Sequence, residues 1–193
     1  MIIPVLSRHL NVCAQIDLPR FAKQDPDFWN VISLREPSRP KPNFSKFPAS
    51  HTTICYDIIG TVGMEESELV HAPSTAHLKE ILLFAEETGK APLLIHCWAG
   101  VSRSTAVALV LLVQGMHREG YSEGRILEEA VETLLSIRPC AAPNPLILEI
   151  GLKEFLPPDI AKRLTDCLLN HPDLFSNRHN GASPAEDSKP SGK

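Results

Sequence analysis

The chain has 193 residues, 43% of them hydrophobic and 22% charged, a balance that suits one globular core and leaves little for a second full domain. A formal net charge of −4, with no dense basic cluster, argues against nucleic acid or an anionic membrane as a bulk partner. The most apolar run, AVALVLLV, is far too short to span a bilayer.

The opening MIIPVLSRHLNV lacks the basic start, long apolar run and cleavage site of a secretory signal, so a reducing cytoplasm is the expected location. The five cysteines (Cys13, Cys55, Cys97, Cys140 and Cys167) are scattered, odd in number and without zinc or dithiol spacing, so free thiols are expected. Eight histidines show no ligand spacing either, and neither metal nor cofactor is implied.

In chain order, residues 4–12 and 29–36 read as strands, the second rich in β-branched and apolar residues. Between them, residues 16–24 predict a short helix with Asp17 as cap and Pro19 in its first turn. Four prolines within residues 36–50 make that stretch a loop, and residues 52–59 predict a third strand. Residues 74–90 predict a helix capped by Ser74, with Leu78, Ile81, Leu82 and Ala85 on one face and Gly89 at its end.

A strand over 92–97 follows, then a turn and a buried helix from Ser104. Residues 122–139 predict an amphipathic helix through Ile126, Ala130, Leu134 and Ile137, and residues 144–156 and 158–171 predict two more, each with an early proline. The polar end from 175 to 193 is expected to be a disordered tail, leaving a domain over 1–174. Alternating strands and helices predict an α/β fold: a central, mostly parallel sheet flanked by helices.

The chemistry concentrates in residues 91–107, APLLIHCWAGVSRSTAV. A helix N-terminus offers unpaired N–H groups and partial positive charge, so a tight turn feeding it can surround an anion. Trp98, Ala99, Gly100, Val101 and Ser102 form such a turn, in which the small residues Ala99, Gly100 and Ser102 let the backbone curl with its amides inward, with Gly100 where a positive φ is useful. Arg103 can add bidentate hydrogen bonds to a phosphate. The same field favours the thiolate of Cys97, which then sits beneath a bound phosphoryl group for in-line attack. Ser104 can donate its hydroxyl hydrogen to that sulfur and help it leave, and His96 is expected to order the loop through hydrogen bonds.

The pattern His96-Cys97, five residues, Arg103, Ser104 resembles the signature of the cysteine-dependent tyrosine phosphatase superfamily, in particular its compact dual-specificity-type members. The similarity extends to VISL as an early strand, to the helix over 74–89, and to the segment IRPCAAPNPLILEIGLKEF leading into a later helix, covering residues 5–155. The resemblance implies a phosphomonoester hydrolase, acting on protein phosphotyrosine through a phosphocysteine intermediate, with a phosphorylated protein or small phosphomonoester as partner.

It also implies a general acid on a loop after a strand upstream of the cysteine. Asp57 in CYDIIGTVG is the match, with Glu65 or Glu66, or no dedicated acid, as the alternatives. Trp98 belongs at the pocket rim or on the core beneath, the rim being preferred. Cys55 reads as a core residue that could also form a protective disulfide with oxidised Cys97.

Two rival readings remain. One is a phosphate-binding module without turnover. The other is a serine hydrolase using Ser102 in the GVSRS turn, disfavoured by Ser104 where a glycine is expected.

Overall fold

The computed structural model describes residues 1–60 and 71–179. Among the described residues five strands form one sheet in the order β1-β2-β5-β3-β4, where β1 is Ile2–Ile3, β2 Arg8–Ala14, β3 Asn30–Arg35, β4 Ser50–Ile54 and β5 Leu93–Cys97. Only β1 runs antiparallel, and every other pairing is parallel. Among the described residues there are seven α-helices: α1 Leu18–Gln24, α2 Thr75–Glu87, α3 Arg103–Arg118, α4 Glu123–Ile137, α5 Pro145–Lys153, α6 Pro158–Leu169 and α7 Pro172–His179. None is long and apolar enough to cross a membrane.

The central strand β5 is buried at all five positions, as a strand covered on both faces must be. Its side chains alternate between two cores. Leu93, Ile95 and Cys97 belong to the larger core, built with α2 through α7, whereas Leu94 joins a smaller core with Leu18, Phe21, Trp29, Val31 and Phe47. That smaller core lies beneath α1 and the proline-rich stretch. Parallel neighbours β3 and β4 are thus joined by a loop, whose Phe44 and Phe47 cover the sheet as a crossover helix usually does.

The helix following the turn, α3, is buried along most of its length and forms the centre of the larger core. Gly151 lets α5 approach it closely: a Cβ there would lie 2.6 Å from a methyl of Val110.

The sequence misplaces several boundaries, each for a local reason. Residues 4–6 form a 3₁₀ turn closed by the Ser7 N–H on the Pro4 carbonyl at 2.9 Å, so the first long strand begins only at Arg8. Asp17 does not cap α1 with its side chain. A 3₁₀ turn over Gln15–Asp17 runs straight into the helix, and the Asp17 carboxylate instead accepts from the Ala14 N–H at 3.3 Å.

The third strand covers 50–54 rather than 52–59. Beyond Ile54 the Cys55 N–H still reaches the Arg35 carbonyl at 2.9 Å, but the Tyr56 N–H turns away to His71. The expected tail boundary at 175 falls inside α7: Leu174 is buried, and the Asn177 amide donates to the carbonyls of Pro139 and Ala141 at 2.8 and 2.9 Å, which ties the helix to the domain. Residues 180–193, the rest of that tail, lie outside the described residues.

Candidate active site

The loop from Cys97 to Arg103 joins β5 to α3 at the C-terminal edge of the parallel strands, where ligands of such sheets commonly bind. Its backbone is held from outside, carbonyl by carbonyl. Trp98 O accepts from the Gln15 N–H at 3.1 Å, Ala99 O and Gly100 O accept from the Arg138 guanidinium at 3.1 and 2.9 Å, and Val101 O accepts from the Ala142 N–H at 2.9 Å. Ser102 O takes the Asn144 N–H at 3.3 Å and the Thr105 hydroxyl at 2.8 Å. In a trans peptide the carbonyl and the following N–H point opposite ways. Five carbonyls bound from outside therefore set the N–H groups of Ala99 through Arg103 on the opposite side of the loop backbone.

Gly100 makes this possible. Its φ is +67°, and a Cβ would stand 2.5 Å from the Cys13 carbonyl carbon and 2.6 Å from the Ala14 nitrogen, so the loop rests directly on the end of β2.

Inside the loop, Cys97 Sγ lies 3.1 Å from Ser104 Oγ, and both residues are buried. Arg103 is only 2% exposed. Its Nη1 donates to the Cys55 carbonyl at 2.7 Å and its Nη2 to Glu36 Oε1 at 2.8 Å. Two of the five guanidinium donors are thereby used, while buried Nε has no hydrogen-bond partner among the described residues. Motif spacing does not single out Glu36. A usable signal exists all the same: it is an acid directly after a buried strand that runs beside β5.

Asp57 lies past the end of β4, exposed at the mouth. Its Oδ1 accepts from the Ser102 hydroxyl at 2.8 Å and from Asn144 Nδ2 at 2.7 Å, and its Oδ2 is 3.9 Å from Arg103 Nε. Asn144 also donates to the Ile58 carbonyl at 3.0 Å, and its own oxygen caps α5 by accepting from the Ile147 N–H at 2.9 Å. The segment containing Arg138 and Asn144 stands out in the sequence, but nothing there gives either residue a role. Glu65 and Glu66 lie outside the described residues.

Trp98 is 43% exposed, at the rim, with the Arg39 guanidinium carbon over its ring, 3.9 Å from the ring centre. Arg39 Nε reaches the second oxygen of Glu36 at 3.2 Å.

His96 departs from expectation. Strand alternation sends it to the face opposite Cys97, where its ring lies 6.1 Å from that of Phe44, and neither ring nitrogen has a hydrogen-bond partner among the described residues. Burial pushes its pKa down to about 4, against the pull of the Cys97 backbone and with a further push from Arg103. Cys55 is likewise buried. Its thiol is pushed up to about 11 by burial, Arg103 drawing it back in part, and it and Cys97 are both free. The serine-hydrolase arrangement is not assembled: Ser102 bonds a carboxylate, and among the described residues no imidazole bonds to it.

No family model and no curated protein matches the sequence. Solved structures do. Human DUSP28 superposes with a TM-score of 0.53 at 18% identity, over 86% of this chain and 96% of its own. A mutant form of Tk-PTP gives 0.51 at 25% identity, over 80% and 93%. The Yvh1 phosphatase domain from Chaetomium thermophilum gives 0.52 at 18%, over 74% and 87%. The five-stranded, mostly parallel sheet with its buried central helix is thus the dual-specificity-type fold of the cysteine-dependent tyrosine phosphatase superfamily.

Proposed function

We propose that this chain is a cysteine-dependent phosphoric monoester hydrolase that removes phosphate from protein phosphotyrosine through a phosphocysteine intermediate. The observation that carries the reading is the buried Arg103, anchored by the Cys55 carbonyl and Glu36, with an Nε that makes no hydrogen bond among the described residues, at the end of the same loop that holds the Cys97–Ser104 pair.

The phosphoryl group is held by the N–H groups of the loop and by the remaining donors of Arg103, which stabilise the charge that builds on its oxygens in the transition state. Cys97 sulfur attacks phosphorus as the P–O bond to the leaving oxygen breaks, and that oxygen takes the proton carried by Asp57. Among the described residues both hydrogen bonds to Asp57 reach Oδ1, while Oδ2 faces Arg103 Nε at 3.9 Å. Water then attacks phosphorus and gives its proton to Asp57, the S–P bond breaks, and the sulfur departs as a thiolate stabilised by the Ser104 hydroxyl at 3.1 Å. Trp98, Ala99, Gly100, Val101 and Ser102 contain no lysine, which favours a singly phosphorylated side chain over a polyanionic inositol lipid.

Hydrolysis of para-nitrophenyl phosphate by wild type, Cys97→Ser and Asp57→Asn across about pH 4.5–8 tests the reading. Turnover by wild type with a silent Cys97→Ser supports it, and wild-type turnover by Cys97→Ser removes it. Loss of the basic limb in Asp57→Asn assigns the acid to Asp57, whereas an unchanged limb takes the role from Asp57 and leaves Glu65 or Glu66, or no dedicated acid.

A further inference from the structure

Beside the 97–103 loop, not over it, α1 and the proline-rich loop enclose a cleft of about 640 Å³. Leu18, Ala22 and Pro42 give it apolar walls, Lys23 and Lys46 stand exposed at its edge, and no carboxylate among the described residues lines it. The volume falls within the roughly 300–1,000 Å³ of pockets that bury small ligands, ample for a large apolar side chain.

Gln15 joins this cleft to the candidate active site. It lines the cleft, its backbone N–H donates to Trp98 O at 3.1 Å, and its side-chain amide donates to the Pro40 carbonyl at 3.1 Å. The cleft and the loop therefore meet at one residue and are held in fixed relation by its two hydrogen bonds. Ile16, next in the chain, is 86% exposed, an uncovered apolar side chain at the same junction. A chain bearing a phosphorylated residue advances about 3.3–3.6 Å per residue when extended, so a cleft this near lies within a few residues of the reacting phosphate.

We infer that this cleft is a specificity site for the same reaction: it receives an apolar side chain of the phosphorylated protein, close to the phosphoresidue, while Lys23 and Lys46 pair with an acidic residue beside it. The inference rests on the phosphatase reading above and names which phosphopeptides that site prefers. Charge complementarity selects the acidic flank, because among the described residues the lining holds two lysines and no acid. An inositol lipid would instead carry a polyanionic headgroup to a loop without a lysine.

The test is kcat/KM on a set of nine-residue phosphotyrosine peptides in a Glu/Ala frame, with a single leucine moved through four positions on either side. A soluble short-chain phosphoinositide and para-nitrophenyl phosphate are measured alongside. Leucine at one or two positions is expected to raise kcat/KM about tenfold, mostly through KM. Replacing glutamate by lysine in the frame is expected to remove that advantage. Lys23→Glu/Lys46→Glu and Ser45→Trp, surface changes at the cleft, are expected to abolish the peptide preference and leave para-nitrophenyl phosphate turnover as it was.

Normal para-nitrophenyl phosphate turnover with no leucine position preferred overturns the cleft and leaves the phosphatase reading standing. No turnover of any substrate by wild type overturns both. A phosphoinositide preferred over every peptide, with that preference lost in the same variants, assigns the cleft to a lipid and overturns the peptide proposal.

Discussion

Glu36 accepts a hydrogen bond from Arg103 Nη2 at 2.8 Å through one carboxylate oxygen and from Arg39 Nε at 3.2 Å through the other, while the Arg39 guanidinium sits over the ring of exposed Trp98. A buried guanidinium needs a counter-charge, and this one is supplied from the first residue past β3. Glu36→Gln keeps the shape and removes the charge. A charge-assisted hydrogen bond contributes about 1.5–3 kcal/mol, so kcat/KM on para-nitrophenyl phosphate should fall roughly tenfold or more. The melting temperature should drop with it. Unchanged kinetics would mean that the Cys55 carbonyl alone aims Arg103.

Gly100 admits no side chain. An alanine there would carry a positive φ and press its Cβ into the Cys13 and Ala14 backbone at 2.5–2.6 Å, where nothing flexible can yield. Gly100→Ala must lift the loop off β2. The expected result is a loss of about 2 kcal/mol or more in urea unfolding, together with at least about a hundredfold loss of turnover. A variant as stable and as active as wild type would show that the loop does not need this contact.

Asn144 does two separable things: its oxygen caps α5 and its nitrogen holds Asp57. Asn144→Ala should lose the cap, at about 1 kcal/mol, and the hold on Asp57 as well. Asn144→Asp restores an acceptor for the Ile147 N–H but sets a carboxylate against a carboxylate. It should recover much of the stability and none of the activity toward alkyl phosphates, whose leaving oxygen most needs a proton. Recovery of both in Asn144→Asp would remove Asn144 from the handling of Asp57.

Much of this site can be read in the sequence because it is local. The residues from His96 to Ser104 sit in one unbroken strand–turn–helix, so spacing alone brings Cys97, the amides, Arg103 and Ser104 together. What tethers them arrives from elsewhere in the chain. Arg138 and Asn144 come from beyond α4, Gln15 from the end of β2, and Glu36 from the end of β3; only the sheet order β2-β5-β3 makes the last two neighbours of the loop.

A strand's two-residue period also decides matters that motif matching does not. His96 reads as a partner of Cys97 by adjacency, yet adjacency in a strand means opposite faces. The proline-rich stretch shows the converse difficulty, since nothing in its composition says that Phe44 and Phe47 will roof the smaller core.

The burial of His96 has a measurable consequence. Its pKa is held near 4 in the folded protein, first by burial and then by the Arg103 charge, against about 6.5 when unfolded. Between those values the unfolded chain binds a proton that the folded chain refuses. Stability from this residue is therefore full above about pH 6.5 and is lost as pH falls toward 4, amounting to about 3 kcal/mol across the window. His96→Leu removes the titration while keeping an apolar side chain against Phe44. Urea unfolding of both proteins at pH 7 and pH 4.5 should show the wild type losing about 2–3 kcal/mol more than the variant, since every other titrating group is common to the two. Equal losses would mean that His96 carries its proton in the folded state and has found a partner for it.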